Sequence, residues 1–429
     1  MQSFAARWLP RVMQGTSSGP VHYEEVITER WRSSRRDMLK VINRTSYRSV
    51  LTLYLFGQTP VPSGISEEEE MDGISGVVCI QTALLQLQEL RHRLRNCQSK
   101  GLGVSAWSDA ATSSAASSNL TQAFINLEMR AYWAAVAWDT SSSVTLNIRS
   151  SLTSGLKGAC LEPAWRLAKG FLVGPFHARS EEWRKKGYEV SDETASQIIS
   201  AAAICRLYTW KTIASVKEAL AEGVEESDAL FAWNALLDAL EVYKTTIHPL
   251  LSTCERRLHF LGQVERLNWY QVVLHYHLGI LILVDAVEAA NRVDLLSQLT
   301  ETKVDTEQES FNVLKFGLES EYTITGPREE CSDPADTNPA AYATGKPITV
   351  SLVAIDPYPN HVVASIRLMA KVINRKYQAG KIKPEAYSYL SSTLVKALEQ
   401  LPQSSKIVQS ACENWPEPVP FDAASAGDV

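Results

Sequence analysis

The stretch VERLNWYQVVLHYHLGILILVDAVEAA, residues 264 to 290, is apolar on nearly every face of the helix it would form. A surface helix carries one apolar stripe, so a helix that is apolar all round belongs in the middle of a bundle with other helices packed about it. The rest of the chain must then supply those partners. Part of the same segment, 272 to 287, is also the best candidate for a membrane span, but His275, His277 and Asp285 interrupt it. A buried helix is therefore the stronger reading, and no membrane contact is expected.

The partners are legible as helical stripes. Ile80, Leu84, Leu87 and Leu94 recur at a helical period, as do Ile213, Val216 and Leu220, and Leu230, Trp233, Leu237, Leu240 and Ile247 form a longer stripe. The nearest approach to strand alternation is ITVSLVAI at 348–355. The expected fold class is all-α, one large multi-helix domain over 1–415 with flexible insertions at about 101–119 and 326–345 and a disordered tail at 416–429. The insertions are rich in Ser, Ala and Gly, or in Pro, Asp and Ala, and the tail has little to bury. At 429 residues the chain can build two subdomains or one large helical unit. Ser66 with Glu69 fits a capping box ahead of the acidic turn EEEE, and Pro60, Pro62 and Gly64 form a rigid turn that stops the preceding SVLTLYLFGQ.

Charge and cysteine usage narrow the function classes. A net charge of −6 argues against wrapping nucleic acid through a large basic surface. The one basic run, RWRSSRRDMLKVINRTSYR at 30–48, reads as a solvated helix face. Seven cysteines lie dispersed, with no pair closer than eighteen residues, so neither a disulfide framework nor a zinc site is expected and the thiols read as reduced, in an intracellular protein. The first residues, MQSFAARWLPRVMQG, lack the continuous apolar core of a secretion signal.

Catalytic signatures are mostly absent. The chain holds no G-x-S-x-G, H-E-x-x-H, Walker or G-x-G-x-x-G motif, and Ser154 to Lys157 matches S-x-x-K without its usual companions. His275 and His277, two apart, point about 200° away from each other on a helix, so they read as separate core histidines. VDLLSQLTE at 293–301 resembles the second magnesium motif of terpene cyclases in Asp294, Ser297 and Glu301, but Val293 occupies the first ligand position and no aspartate-rich partner motif accompanies it. No catalytic residue, metal ligand or cofactor is assigned.

One further stretch stands out, YWAAVAWDTSSSVTLN at 132–147. Trp133 and Trp138 lie about 140° apart on a helix and read as packing anchors toward different neighbours. Asp139 and the hydroxyl run behind it compete with helix hydrogen bonding, so the helix is expected to end or bend there. Asp139 would then cap the next turn or pair with Arg130, Arg149 or another basic group, since an unpaired buried carboxylate is costly.

The order Arg130-Ala131-Tyr132-Trp133 followed by Trp138-Asp139-Thr140-Ser141 resembles the regulatory, or middle homology, region of fungal zinc binuclear cluster transcription factors. SYRSVLTLYLFGQTPVPSGIS at 46–66 and ISGVVCIQTALLQLQELR at 74–91 are similar to the helix, turn and helix that precede that element. The similarity extends from about Phe4 to about Ala411, through WDTSSSVTLNIRSSLTSGLKGACLEPAWRL, LSTCERRLHFLGQVERLNWY and DPYPNHVVASI. The family's six-cysteine zinc cluster has no counterpart among these residues, so zinc and DNA binding are carried onto none of them. Either the chain is a shortened gene product, or it is a regulator that lost its reader and acts through partners.

The resemblance implies a helical regulatory domain in the nucleus, or otherwise the cytoplasm, that acts through a small-molecule effector or other transcription regulators. It implies a homo- or hetero-dimer, with DNA reached only indirectly or through a missing N-terminal domain. Arg130, Trp133, Trp138 and Asp139 are its structural or effector-site residues. Two readings compete: a helical metal-dependent enzyme of terpene-cyclase type using VDLLSQLTE, and a scaffold with no ligand. A deep cavity with convergent polar groups favours the effector, a filled core the scaffold.

Overall fold

The long apolar segment forms one unbroken helix, Gln263–Ala289, in a computed structural model that describes residues 2–10, 23–101, 122–152, 163–185, 187–324 and 347–415. In chain order the helices used below are α1 (Gln2–Ala6), α2 (Tyr23–Val41), α3 (Tyr47–Gly57), α4 (Glu67–Met71), α5 (Gly76–Gly101), α6 (Gln122–Leu146) and α7 (Pro163–Phe171). After these come α8 (His177–Arg179), α9 (Asp192–Glu222), α10 (Glu226–Val242), α11 (His248–Glu255), α12 (Gln263–Ala289), α13 (Val293–Gln298) and α14 (Thr300–Glu319). The last three are α15 (Pro359–Gln378), α16 (Pro384–Gln400) and α17 (Lys406–Glu413). The described residues are all-α apart from one antiparallel ribbon, β1 (Glu321–Ile324) with β2 (Ile348–Ser351), in which Glu321 faces Ser351 and Ile324 faces Ile348. The expected insertions at 101–119 and 326–345, the tail at 416–429 and the S-x-x-K at 154–157 lie outside the described residues, save Gly101, which closes α5.

Helix α12 takes the central place its composition demands. It is the one described helix long and apolar enough to cross a membrane, and its apolar window is 72% buried inside the protein. It packs most extensively on α9, with α14 and α15 on its other sides and α10 and α6 against α9. The two central helices approach closely because Gly279 presents no side chain: a Cβ there would overlap the indole of fully buried Trp210. Trp210 Nε1 donates to the His275 carbonyl at 2.9 Å, so the contact also satisfies the indole. Helix α9 begins with Ser191 accepting from Thr194 N and ends at Gly223, whose φ of 60° is the left-handed cap that glycine adopts without strain.

A second core lies in the N-terminal layer, where α2, α3 and α5 enclose Trp31, Leu53, Phe56, Ile80 and Leu87. The basic run is structural here. Arg35 donates to the carbonyls of Glu69, Glu70 and Ile74, and Arg32 makes a bidentate pair with Glu69 at 2.6 and 2.8 Å. Ser66 caps α4 as the sequence indicates, accepting from Glu69 N at 3.1 Å. The reciprocal half of the capping box does not form, because Arg32 offers the Glu69 carboxylate a charge-assisted pair in place of the Ser66 backbone N–H.

The N-terminal layer is stitched to the C-terminal helices. Ser63 N donates to Ser404 O, Lys406 N donates to Val61 O, and Lys406 Nζ pairs with Glu70 at 2.7 Å. Arg7, just beyond α1, donates to Pro357 O at 3.0 Å. The ribbon that precedes this seam was half legible: ITVSLVAI contains β2, whereas its partner EYTI alternates over four residues only, too few to stand out.

Candidate functional site

Helix α6 carries the stretch YWAAVAWDTSSSVTL, and it does not end at Asp139. It continues to Leu146, because Thr145 Oγ1 bonds back onto the Ser141 carbonyl within the helix and Thr140, Ser142 and Val144 are buried against neighbours. The expected helix end is thus displaced. The carboxylate that was to cap a new turn instead reaches sideways: Asp139 accepts from Ser150 Oγ at 2.5 Å, Ser151 N at 2.7 Å and Leu152 N at 3.0 Å. The chain returns to it through Asn147, whose φ of 54° is left-handed. No pairing with Arg130 or Arg149 occurs. Arg130 is exposed, and Arg149 pairs with Glu218 at 3.1 Å and Glu222 at 3.6 Å.

The two tryptophans face different neighbours, as their angular separation requires. Trp138 stacks on Tyr54 of α3 with centroids 3.4 Å apart and planes 10° apart. Trp133 meets Tyr132 edge-on and packs on a third small core of Val136, Trp165, Ala168, Tyr208 and Ala239. Both act as packing anchors between layers.

The C-terminal turn of α6 forms one wall of a cavity of about 570 Å³. The other walls are the end of α3 at Gly57 and Gln58, Lys217 on α9, the outer part of α12 around Asp285 and Ala286, and the first turns of α15 from Tyr358 to Arg367. The cavity therefore sits where the N-terminal layer meets the central bundle. Its volume matches a small-molecule site. A larger groove of about 690 Å³ runs beside Val293, but its walls include the exposed side chains of Val293 and Val304, and its carboxylate, Glu307, is already paired with Lys376 at 2.6 Å.

Behind His361 the cavity wall continues into a buried polar cluster. His361 Nε2 lies 3.3 Å from Ser141 Oγ, and its ring is 4.9 Å from the His275 ring. Arg206 Nη1 lies 3.2 Å from His275 Nδ1, so Nδ1 is the acceptor and Nε2 carries the proton. Asp356 accepts from Tyr358 N at 2.7 Å. Arg7 lies between the rings of Phe4 and Trp8, at 4.0 and 3.9 Å. Asp356 Oδ2, His275 Nε2 and His361 Nδ1 have no hydrogen-bond partner among the described residues.

Burial dominates the electrostatics of this cluster. It lowers both Arg7 and Arg206 to about 10, although Arg206 keeps partial surface exposure, and it lowers His361 to about 3. It lowers His275 well below the usual range, with His361 and Arg206 adding to the effect. Asp356 is raised to about 6 by burial, against the opposing pull of the Tyr358 amide, Arg7 and Arg206. On the cavity wall, burial lowers Lys217 to about 8. The histidines are thus neutral near pH 7, and the lining offers donors with few charges.

None of Arg7, Lys217, Arg206, Asp356, Tyr358 or His361 was given a site role from the sequence, although the last three lie in DPYPNHVVASI. One signal was available: in DPYPN, an aspartate two residues before the amide it accepts from is an Asx-turn pattern. His275 and His277 do part company as the spacing requires, His277 Nδ1 lying 3.3 Å from Thr306 Oγ1 on α14. In VDLLSQLTE the helix breaks at Leu299 and the three oxygens are engaged separately. Asp294 pairs with Arg292, Ser297 donates to the Asp294 carbonyl, and Glu301 pairs with Lys244 at 2.9 Å. Cys79, Cys205, Cys254 and Cys412 are free thiols.

Compared with family models, curated proteins and solved structures, the chain matches none.

Proposed function

We propose that the chain is a helical regulatory domain that binds a small-molecule effector in the cavity at the end of α6 and passes its occupancy to partner proteins in transcription control. The observation that carries this reading is the cavity itself. A void of about 570 Å³ lined by residues of α6, α9, α12 and α15 and of the N-terminal layer is what a ligand-gated contact between layers requires, and what a filled scaffold core lacks. Its walls come from parts of the chain far apart in sequence, so an occupant that bridges them shifts the balance between a tight and a loosened seam. The resemblance of the Arg130 to Ser141 element to a fungal regulatory region supports the same class. On that reading the protein works in the nucleus, as a homo- or hetero-dimer, reaching DNA through a partner or a domain outside this sequence.

The enzyme alternative draws no support from VDLLSQLTE, whose oxygens are held by Arg292, Lys244 and the backbone. The regulatory reading is tested by fusing the chain to a heterologous DNA-reading domain above a reporter. The fusion should change output relative to the reader alone, and Ala364→Trp, which fills the cavity, should lock output in one state. A fusion indistinguishable from the reader alone overturns the reading.

A further inference from the structure

We propose that the cavity selects a small carboxylic acid with an apolar body, the carboxylate being held by Lys217 and Arg367. The inference rests on the effector reading above and deepens it. Lys217 Nζ donates to Val144 O at 2.6 Å and to Asn147 Oδ1 at 2.6 Å. An ammonium has three protons, and the third has no acceptor among the described residues while the side chain lines the cavity. The amine is held in place at the end of α6, where Asn147, at φ 54°, adopts the left-handed cap that asparagine takes readily and turns its amide oxygen onto Lys217.

The charge balance of the walls points to an anion. Lys217 and Arg367 are the cations, and Asp285 is the one carboxylate among the lining residues. Asp285 is already committed to an ion pair with Lys371 on the neighbouring helix. Arg367 is exposed and has no ion-pair partner among the described residues. His361 is buried and neutral, with Nδ1 unpartnered. Burial lowers Lys217 to about 8 although the Asp285 charge opposes it, and a carboxylate in direct contact would favour the charged form further. Ile282, Ala286, Val363, Ala364 and Leu368 give the rest of the lining an apolar share. One ammonium proton and the planar fork of one guanidinium suit a single carboxylate.

Isothermal titration of the full chain with 3-phenylpropanoate, 3-(2-naphthyl)propanoate, their primary amides and phenyl phosphate tests the proposal. The acids should bind at least about tenfold tighter than the amides, a difference ordinary for one charge-assisted contact. Arg367→Gln, an exposed position that leaves the fold intact, should weaken the acids several-fold and leave the amides unchanged. Lys217→Met should abolish the preference for acid over amide in protein whose circular dichroism is that of the wild type. Equal binding of acids and amides overturns the carboxylate inference while leaving the cavity reading standing. A preference for phenyl phosphate, or binding of neither class, also overturns it. Binding that survives Ala364→Trp unchanged overturns the cavity reading itself.

Discussion

Acidification from pH 7.5 to pH 5 should destabilise this protein by about 3 kcal/mol or more, through histidines that cannot be protonated where they sit. His361 and His277 are buried, and their folded-state pKa values lie near 3. In the unfolded chain each titrates at about 6.5. A lowered folded pKa means that the unfolded state takes up the proton first, so stability is present above pH 6.5 and is lost as pH falls toward 3. At pH 5 each group is about 1.5 pH units below its unfolded pKa, which costs about 2 kcal/mol apiece, or about 4 together. His275, pushed well below the usual range, adds to the loss.

Asp356 acts in the opposite sense. Its folded pKa of about 6 exceeds the unfolded value, so the folded state binds the proton first on acidification and regains about 1 kcal/mol by pH 5. The acidic groups held low by ion pairs, Glu69, Glu288 and Asp294, titrate below this window. The net loss of about 3 kcal/mol is a large share of a typical total stability of about 5–15 kcal/mol. Urea unfolding followed by tryptophan fluorescence at the two pH values measures it. His361→Gln should reduce the difference between the two pH values by about 2 kcal/mol, whatever it does to absolute stability. Equal or greater stability at pH 5 would refute the argument that these rings are buried neutral.

Two further outcomes follow from packing. Asp139→Asn replaces one acceptor oxygen by a donor facing Ser150 and the amides of 151 and 152, and should cost about 2–4 kcal/mol in urea unfolding; an unchanged midpoint would show that the 150–152 segment does not depend on the carboxylate. Gly279→Ala places a methyl group inside the Trp210 indole and should cost about 1–3 kcal/mol with a shift in tryptophan emission, whereas a neutral result would mean that α9 and α12 can separate freely.

The central helix was legible because a segment apolar all round has only one place to go, and no partner needs to be known to say so. Asp139 was legible only in part. Its need for a partner follows from burial, but the donors lie beyond a left-handed turn at Asn147 that nothing in the local pattern announces. The polar cluster was not legible, because Arg7 and the Pro357 carbonyl it bonds are 350 positions apart and their meeting depends on how the whole bundle closes. Lys217 reads in sequence as an ordinary surface lysine on α9. Its surroundings become visible only once the end of α6 is laid across it.

The stitching of residues 61–63 to 404–406 has a consequence for timing during synthesis. The edge formed by Val61 and Ser63 has to wait for partners made more than three hundred residues later, some tens of seconds at about 5–20 residues per second. Until then Gly57, Gln58 and Ile80 face no opposing wall, because α15 and Ile407 have not emerged. The cavity is consequently among the last features of the molecule to exist. A ligand present during synthesis would meet it at the moment of closure, and could act on how many chains mature as well as on how the mature ones behave.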